Sequence, residues 1–152
     1  MHTPRLPWTT LAPQQYASLR SITESLTHST LGRRLVELVQ TRVSQINGCA
    51  FCVDMHVRDL RQAGEPWNRI NLLSVWRETS IFSARETAAL AWAESLTRLP
   101  DGYDDRKAEF ETLQACFDAQ EIVDLSWVIA SINAWNRMAI GMHVPVADKP
   151  IE

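Results

Sequence analysis

At 152 residues, with 45% hydrophobic and 22% charged side chains, the chain has the size of one globular domain (1–152) whose core needs no metal or disulfide support. A net charge of −3 and a pI near 5.8, with no run of basic residues, argue against nucleic-acid and membrane-surface binders. No apolar stretch approaches the ~18 residues of a bilayer span, the first eight residues contain no apolar signal region, and three cysteines make no disulfide framework, so the expected setting is cytoplasmic.

Every element with a readable pattern is helical, which predicts an all-α bundle of about six to seven helices. A first helix is expected over residues 13–26, entered through Pro13. A second runs from Leu31 to Ile46, where Leu35, Leu38, Val39, Val43 and Ile46 recur at steps of three and four. Asn47-Gly48 interrupts it, because both residues favour turns and positive φ. A third helix restarts at Cys49 and stops near Ala63, before Gly64. Pro66 suits the first turn of a fourth, ending near Arg77. Ser83-x-x-Glu86 has capping-box spacing and opens a fifth over Ala84–Arg98. A short polar helix is expected near 104–117. Asp118-x-x-Glu121 repeats the box and starts a last helix of about twenty residues, stopped by Gly141. Strand and hairpin signals are absent.

The last helix is apolar around most of its circumference, through Ile122, Val123, Leu125, Trp127, Val128, Ile129, Ile132 and Trp135. Such a helix is buried within a bundle or against another subunit. Six tryptophans and the small-residue run Ala88-Ala89-Leu90-Ala91-Trp92-Ala93 point the same way, so a homo-oligomer is expected.

The chemistry sits in Cys49-Ala50-Phe51-Cys52, with His56 four residues beyond. On a helix these three side chains fall on one stripe. The Asn47-Gly48 turn puts both thiols in the first helical turn, where unpaired amides and the positive dipole end favour a thiolate. His56 is one turn from Cys52 and about 10 Å along the axis from Cys49. On that geometry Cys52 is the histidine-activated nucleophile and Cys49 the resolving thiol. A thioredoxin-like order, with Cys49 attacking, is the rival assignment.

The run from Glu37 through Asn47-Gly48-Cys49-Ala50-Phe51-Cys52 to His56 resembles the alkylhydroperoxidase AhpD-like branch of the carboxymuconolactone decarboxylase family. Trp76 to Thr79 and Ala91 to Thr97 resemble it as well, so the redox core covers about residues 30–98. The resemblance implies a thiol peroxidase or disulfide oxidoreductase. In it Cys52 matches the peroxidatic thiol, Cys49 the resolving thiol, His56 the histidine beside the peroxidatic sulfur, and Glu37 a carboxylate of the proton relay. It implies a hydroperoxide substrate and a dithiol electron donor, such as a lipoyl-bearing protein or a peroxiredoxin system, with no bound cofactor or metal. One departure stands out. The branch's type member has a second histidine just before the second cysteine, where this chain has Phe51, so the relay is shorter here. Glu37 lies beyond the reach of the cysteine helix, and the Asn47-Gly48 break must fold its own helix back for the groups to meet.

Two alternatives stay open. A decarboxylase-like lyase, as in the family's other branch, has no use for two thiols. A zinc-binding or redox-sensing module would use Cys49, Cys52 and His56 with Glu37 or Cys116 as fourth ligand, but lacks a second ligand pair. Cys116 by itself reads as a small buried hydrophobe. Asp54, Arg58, Asp59 and Arg61 read as the wet face of the cysteine helix, and Glu94 as a partner of Arg98 one turn on. Trp92 and Trp135 read as packing, and His2, His28 and His143 carry no expected role.

Overall fold

The computed structural model describes residues 3–102 and 104–151; His2 lies outside them. Among the described residues there are eight α-helices and three short 3₁₀ segments, and no strand: the α-helices are α1 (Trp8–Leu11), α2 (Pro13–Ser25), α3 (Arg33–Asn47), α4 (Ala50–Gln62), α5 (Trp67–Leu72), α6 (Ala84–Thr97), α7 (Lys107–Gln114) and α8 (Ala119–Met142). The all-α expectation holds. No described helix is long and apolar enough to cross a membrane.

Helix α3 is the central element. Its Leu35, Val39 and Val43 enter an apolar cluster with Ala88, Ala89 and Ala93 of α6 and Leu125, Val128, Ile129 and Ile132 of α8. Its Leu38 points into a second cluster with Val57 and Leu60 of α4, Leu73, Trp76 and Leu90. A helix buried on two sides needs apolar residues beyond one stripe, and the small alanines of α6 let it approach closely. Both expected capping boxes are formed: Ser83 and Asp118 accept from the backbone N–H of Glu86 and Glu121, whose carboxylates reach back. Each such cap is worth about 1 kcal/mol.

Several boundaries differ from expectation for identifiable reasons. Helix α1 is a single turn between Pro7 and Ala12, too short for a periodic signal. The helix expected over 66–77 is α5 followed by a 3₁₀ segment, Leu73–Glu78, with Val75 off the helical region at φ −123° and ψ 29°. The polar helix expected near 104–117 forms only over the eight residues of α7. Gly141 does not stop α8, which continues to Met142 before His143 turns left-handed at φ 55°. The terminal carbonyls explain this: Arg5 donates its backbone N–H to Met142 (2.8 Å) and its guanidinium to Gly141 (2.9 Å), supplying partners that a helix end otherwise lacks. Val123 and Trp127, one turn apart on α8, are half exposed.

Candidate active site

The site forms where α3 ends and α4 begins. Gly48 adopts the left-handed conformation (φ 69°), closing α3 with its N–H on Gln45 and Ser44 carbonyls; an L side chain there would be strained. Cys49 is the N-cap of α4, its Sγ facing the Cys52 N–H at 3.4 Å. The corner is pinned to α8 by amides. Asn47 donates to Asn133 (3.0 Å) and Asn136 (2.9 Å), and Asn136 donates to the Ser44 hydroxyl (3.0 Å). Asn47 therefore acts as an anchor as well as a turn former, which its sequence context does not reveal.

Cys49 and Cys52 are joined in a disulfide with Cα atoms 5.4 Å apart, and both are at most 2% exposed. The chain folds back at Gly48, so Glu37 on α3 meets His56 on α4, with Oε2 and Nδ1 2.8 Å apart. A carboxylate only accepts, so Nδ1–H donates to it, an arrangement that in a neutral imidazole leaves the lone pair on Nε2. Nε2 is buried and has no hydrogen-bond partner among the described residues. No hydrogen bond joins it to Cys52 in the oxidised pair. Cys52 and His56 nevertheless share one cavity of about 500 Å³, walled by Trp8, Tyr16, Phe51 and Trp135. Trp8, Tyr16 and Trp135 pack edge to face, with centroids 5.5–6.1 Å apart, and the Trp135 indole donates to Thr23 at 2.9 Å. The cavity is drug-sized and overwhelmingly apolar. Its aromatic walls went unread in the sequence because they come from four separate helices, one of them the single turn α1. Cys49 borders a different, more open groove with Val53, Val57, Trp67 and Val146.

Asp59 is not simply a wet-face residue. Its carboxylate and the donor atoms of Glu37 and His56 all lie within 4.8 Å of one another, and Arg33 reaches it from α3 at 3.3 Å. Burial and the Glu37 charge hold its pKa above the ordinary aspartate value, while His56 and Arg33 pull the other way. One imidazole and two carboxylates are a possible donor set for a divalent cation. Here the Nδ1–carboxylate hydrogen bond occupies it, and a guanidinium beside it opposes added positive charge. The cysteine-based zinc arrangement is not assembled: each sulfur is bonded to the other, and Cys116 is a free, half-buried thiol against the Ala84 carbonyl oxygen.

Glu94 does not pair its side chain with Arg98. It accepts from Arg42 (2.7 and 2.9 Å), the Trp76 indole (2.9 Å) and Arg77 (2.9 Å), since α3 and the 3₁₀ segment bring these donors to the inner side of α6.

A helical bundle that holds a Cys-x-x-Cys pair at a helix start, backed by a Glu–His pair, has the architecture of the AhpD-like proteins. The chain belongs to the carboxymuconolactone decarboxylase family, whose model matches residues 13–95. It is 37% identical over 150 residues to YdfG of Bacillus subtilis, covering 95% of this chain and 98% of that protein. It is 32% identical over 108 residues to YnjA of Escherichia coli, covering 71% of this chain and 58% of that one. Among solved structures, an Agrobacterium tumefaciens protein described as a candidate antioxidant defence protein AhpD superimposes with a TM-score of 0.90 at 36% identity, over 97% of this chain and all of that one. The debrominase Bmp8 shares the fold at a TM-score of 0.81 and 16% identity, over 92% of this chain and 75% of that one. Fold and family thus place the chain among the AhpD-like members of the carboxymuconolactone decarboxylase family.

Proposed function

We propose that the protein is a thiol-dependent peroxidase that reduces organic hydroperoxides with the Cys49–Cys52 pair. The observation that carries this reading is the shared cavity: Cys52 opens onto the same apolar space as the unpaired Nε2 of His56, whose other nitrogen is held by Glu37. In the reduced protein His56 takes the Cys52 proton, and the thiolate, stabilised at the start of α4, attacks the distal oxygen of the hydroperoxide. The O–O bond breaks, and the departing alkoxide recovers the proton from the imidazolium to leave as alcohol. Cys49 then attacks the sulfur of the Cys52 sulfenic acid, forming the disulfide and releasing water. An external dithiol attacks Cys49, which borders the more open groove, and expels the Cys52 thiolate beside His56. Its second thiol resolves the mixed disulfide, leaving two protein thiols and an oxidised donor. A lipoyl-bearing protein or a peroxiredoxin system fits that role, and the half-exposed Val123 and Trp127 support a homo-oligomer.

The test is a free-thiol count before and after one equivalent of cumene hydroperoxide. The expected result is loss of two thiols with a Cys49–Cys52 crosslink, abolished in Cys52→Ser. Hydroperoxide left unconsumed by fully reduced protein would overturn the reading and favour decarboxylase-like lyase chemistry. In a peroxide-treated Cys49→Ser variant, sulfenic acid is expected on Cys52; an unmodified Cys52 there would reverse the roles of the two sulfurs.

A further inference from the structure

The Glu37–His56 pair has a difficulty of its own. Side-chain exposure is 7% for His56 and 13% for Glu37, and the cavity beyond Nε2 is walled by aromatic rings. A buried proton acceptor needs a way to exchange its proton with water; Phe51 offers neither donor nor acceptor, and the polar groups that line the cavity, such as Tyr16, Thr23 and Gln40, make no hydrogen bond to Nε2 among the described residues. The third member of the cluster offers one. Asp59 sits three residues beyond His56 on α4, its oxygen lies within 4.8 Å of both the Glu37 and His56 atoms, and its side chain is 33% exposed beside the solvated Arg33.

We propose that Asp59 is the solvent-side end of a three-member proton relay, Asp59–Glu37–His56, that serves Cys52. The proposal takes its purpose from the peroxidase reading but its geometry stands apart from it. Exposure rises in order from His56 through Glu37 to Asp59, so the cluster leads from the cavity to the surface. The Asp59 and Glu37 carboxylate oxygens lie within 4.8 Å of each other, a gap that a single water molecule can span to carry a proton between them. The charged groups facing Asp59 are Glu37 and Arg33 from α3 and His56 from its own helix. Burial and the Glu37 charge favour its protonated form, and His56 and Arg33 oppose them. Arg33 keeps the outer carboxylate from leaving the cluster without closing it off, being itself 58% exposed. The proton taken from Cys52 thus passes from His56 to Glu37 and on to Asp59, and the same route runs backwards when the alkoxide is protonated. No net proton is gained or lost over the cycle. Asp59 acts through Glu37 and His56 and is a positioning and relay residue, not one that touches substrate.

The test uses the full chain, reduced, as wild type, Asp59→Asn and Asp59→Glu. Exchange of the His56 ring proton with water is read by NMR, and single-turnover oxidation by cumene hydroperoxide is followed across the pH range around neutrality. Asp59→Asn is expected to slow ring-proton exchange and to lower the single-turnover rate about tenfold, with a changed pH profile. Asp59→Glu should restore both, and added formate should partly rescue Asp59→Asn, which a merely structural loss would not allow. Unchanged ring-proton exchange in Asp59→Asn overturns the relay, as does stoichiometric zinc held by wild type and lost in that variant. If wild-type protein leaves the hydroperoxide untouched while Asp59→Asn still slows exchange, the peroxidase reading fails and the relay stands.

Discussion

Two kinds of buried carboxylate occur in this small bundle, and they differ in what partners them. Glu65 is fully buried between Arg34 and Arg69, and Arg69 also ties to Glu86. Glu94 is held by Arg42, Arg77 and the Trp76 indole. In both, burial pushes the carboxyl upward, but the donors win and leave the pKa below the usual carboxylate range: Arg34 and Arg69 for Glu65, the Trp76 indole with Arg42 and Arg77 for Glu94. Among the described residues, Glu37 has no guanidinium partner of this kind. It is given to an imidazole whose far nitrogen is open to a cavity and to a second carboxylate. Saturated carboxylates fasten helices together, while a carboxylate left to share a proton with a histidine supports chemistry.

The sharpest way to break this contrast is to exchange the consequences. Glu65→Ala removes the carboxylate that the buried Arg69 and the half-exposed Arg34 share, leaving Arg69 only Glu86 and the Ile81 carbonyl, and is expected to cost about 1–3 kcal/mol of stability, read by urea unfolding, with turnover per folded molecule unchanged. His56→Ala should do the opposite: hydroperoxide consumption falls by about a hundredfold, while the urea midpoint moves little. A matching loss of stability in His56→Ala, or of intrinsic activity in Glu65→Ala, would erase the distinction.

pH separates the two groups more finely. Glu65 and Glu94 have lowered folded pKa values, so their stabilisation is complete above the unfolded value of about 4.3 and drains away as pH falls through the folded values. Acid unfolding of Glu94→Gln should therefore show a flatter pH dependence below about pH 4. Asp59 has the reverse sign. Its raised pKa favours the folded state below the unfolded value and is a burden once pH rises through the folded one. Asp59→Asn should therefore be slightly more stable than wild type at neutral pH even as relay function is lost, a pairing that thermal melts and NMR exchange together can check. The smallest expected effect lies far from both sites: Trp127→Arg should lower the mass seen by light scattering without altering the thiol chemistry of a folded protomer.

Much of this was readable from residue order. Periodicity, capping boxes and the Asn47-Gly48 break placed most helices, because each is a local signal carried by a few neighbouring residues. Cys49, Cys52 and His56 were legible together from their helical spacing, Glu37 only through the family resemblance, and the structure brings Glu37 to His56 by the fold-back at Gly48. What stayed hidden depends on contacts between distant helices. Asp59 looked solvated because its neighbours Asp54, Arg58 and Arg61 are polar, and nothing local announces that Glu37 lies across from it. Glu94 had an obvious partner at Arg98, yet Arg42, 52 residues away in sequence, takes it. Gly141 read as a stop because its context offered no sign that Arg5 would cap the carbonyls beyond it.

That arginine clasp reaches further than the helix it finishes. By fastening residue 5 to the far end of α8, it sets down α1 where Trp8 leans on Trp135, so the front of the chain becomes part of the ceiling above the sulfur. Loss of the segment from Arg5 to Trp8 would thus reshape the chamber itself, and its size and greasiness should be judged only on protein that keeps that segment intact.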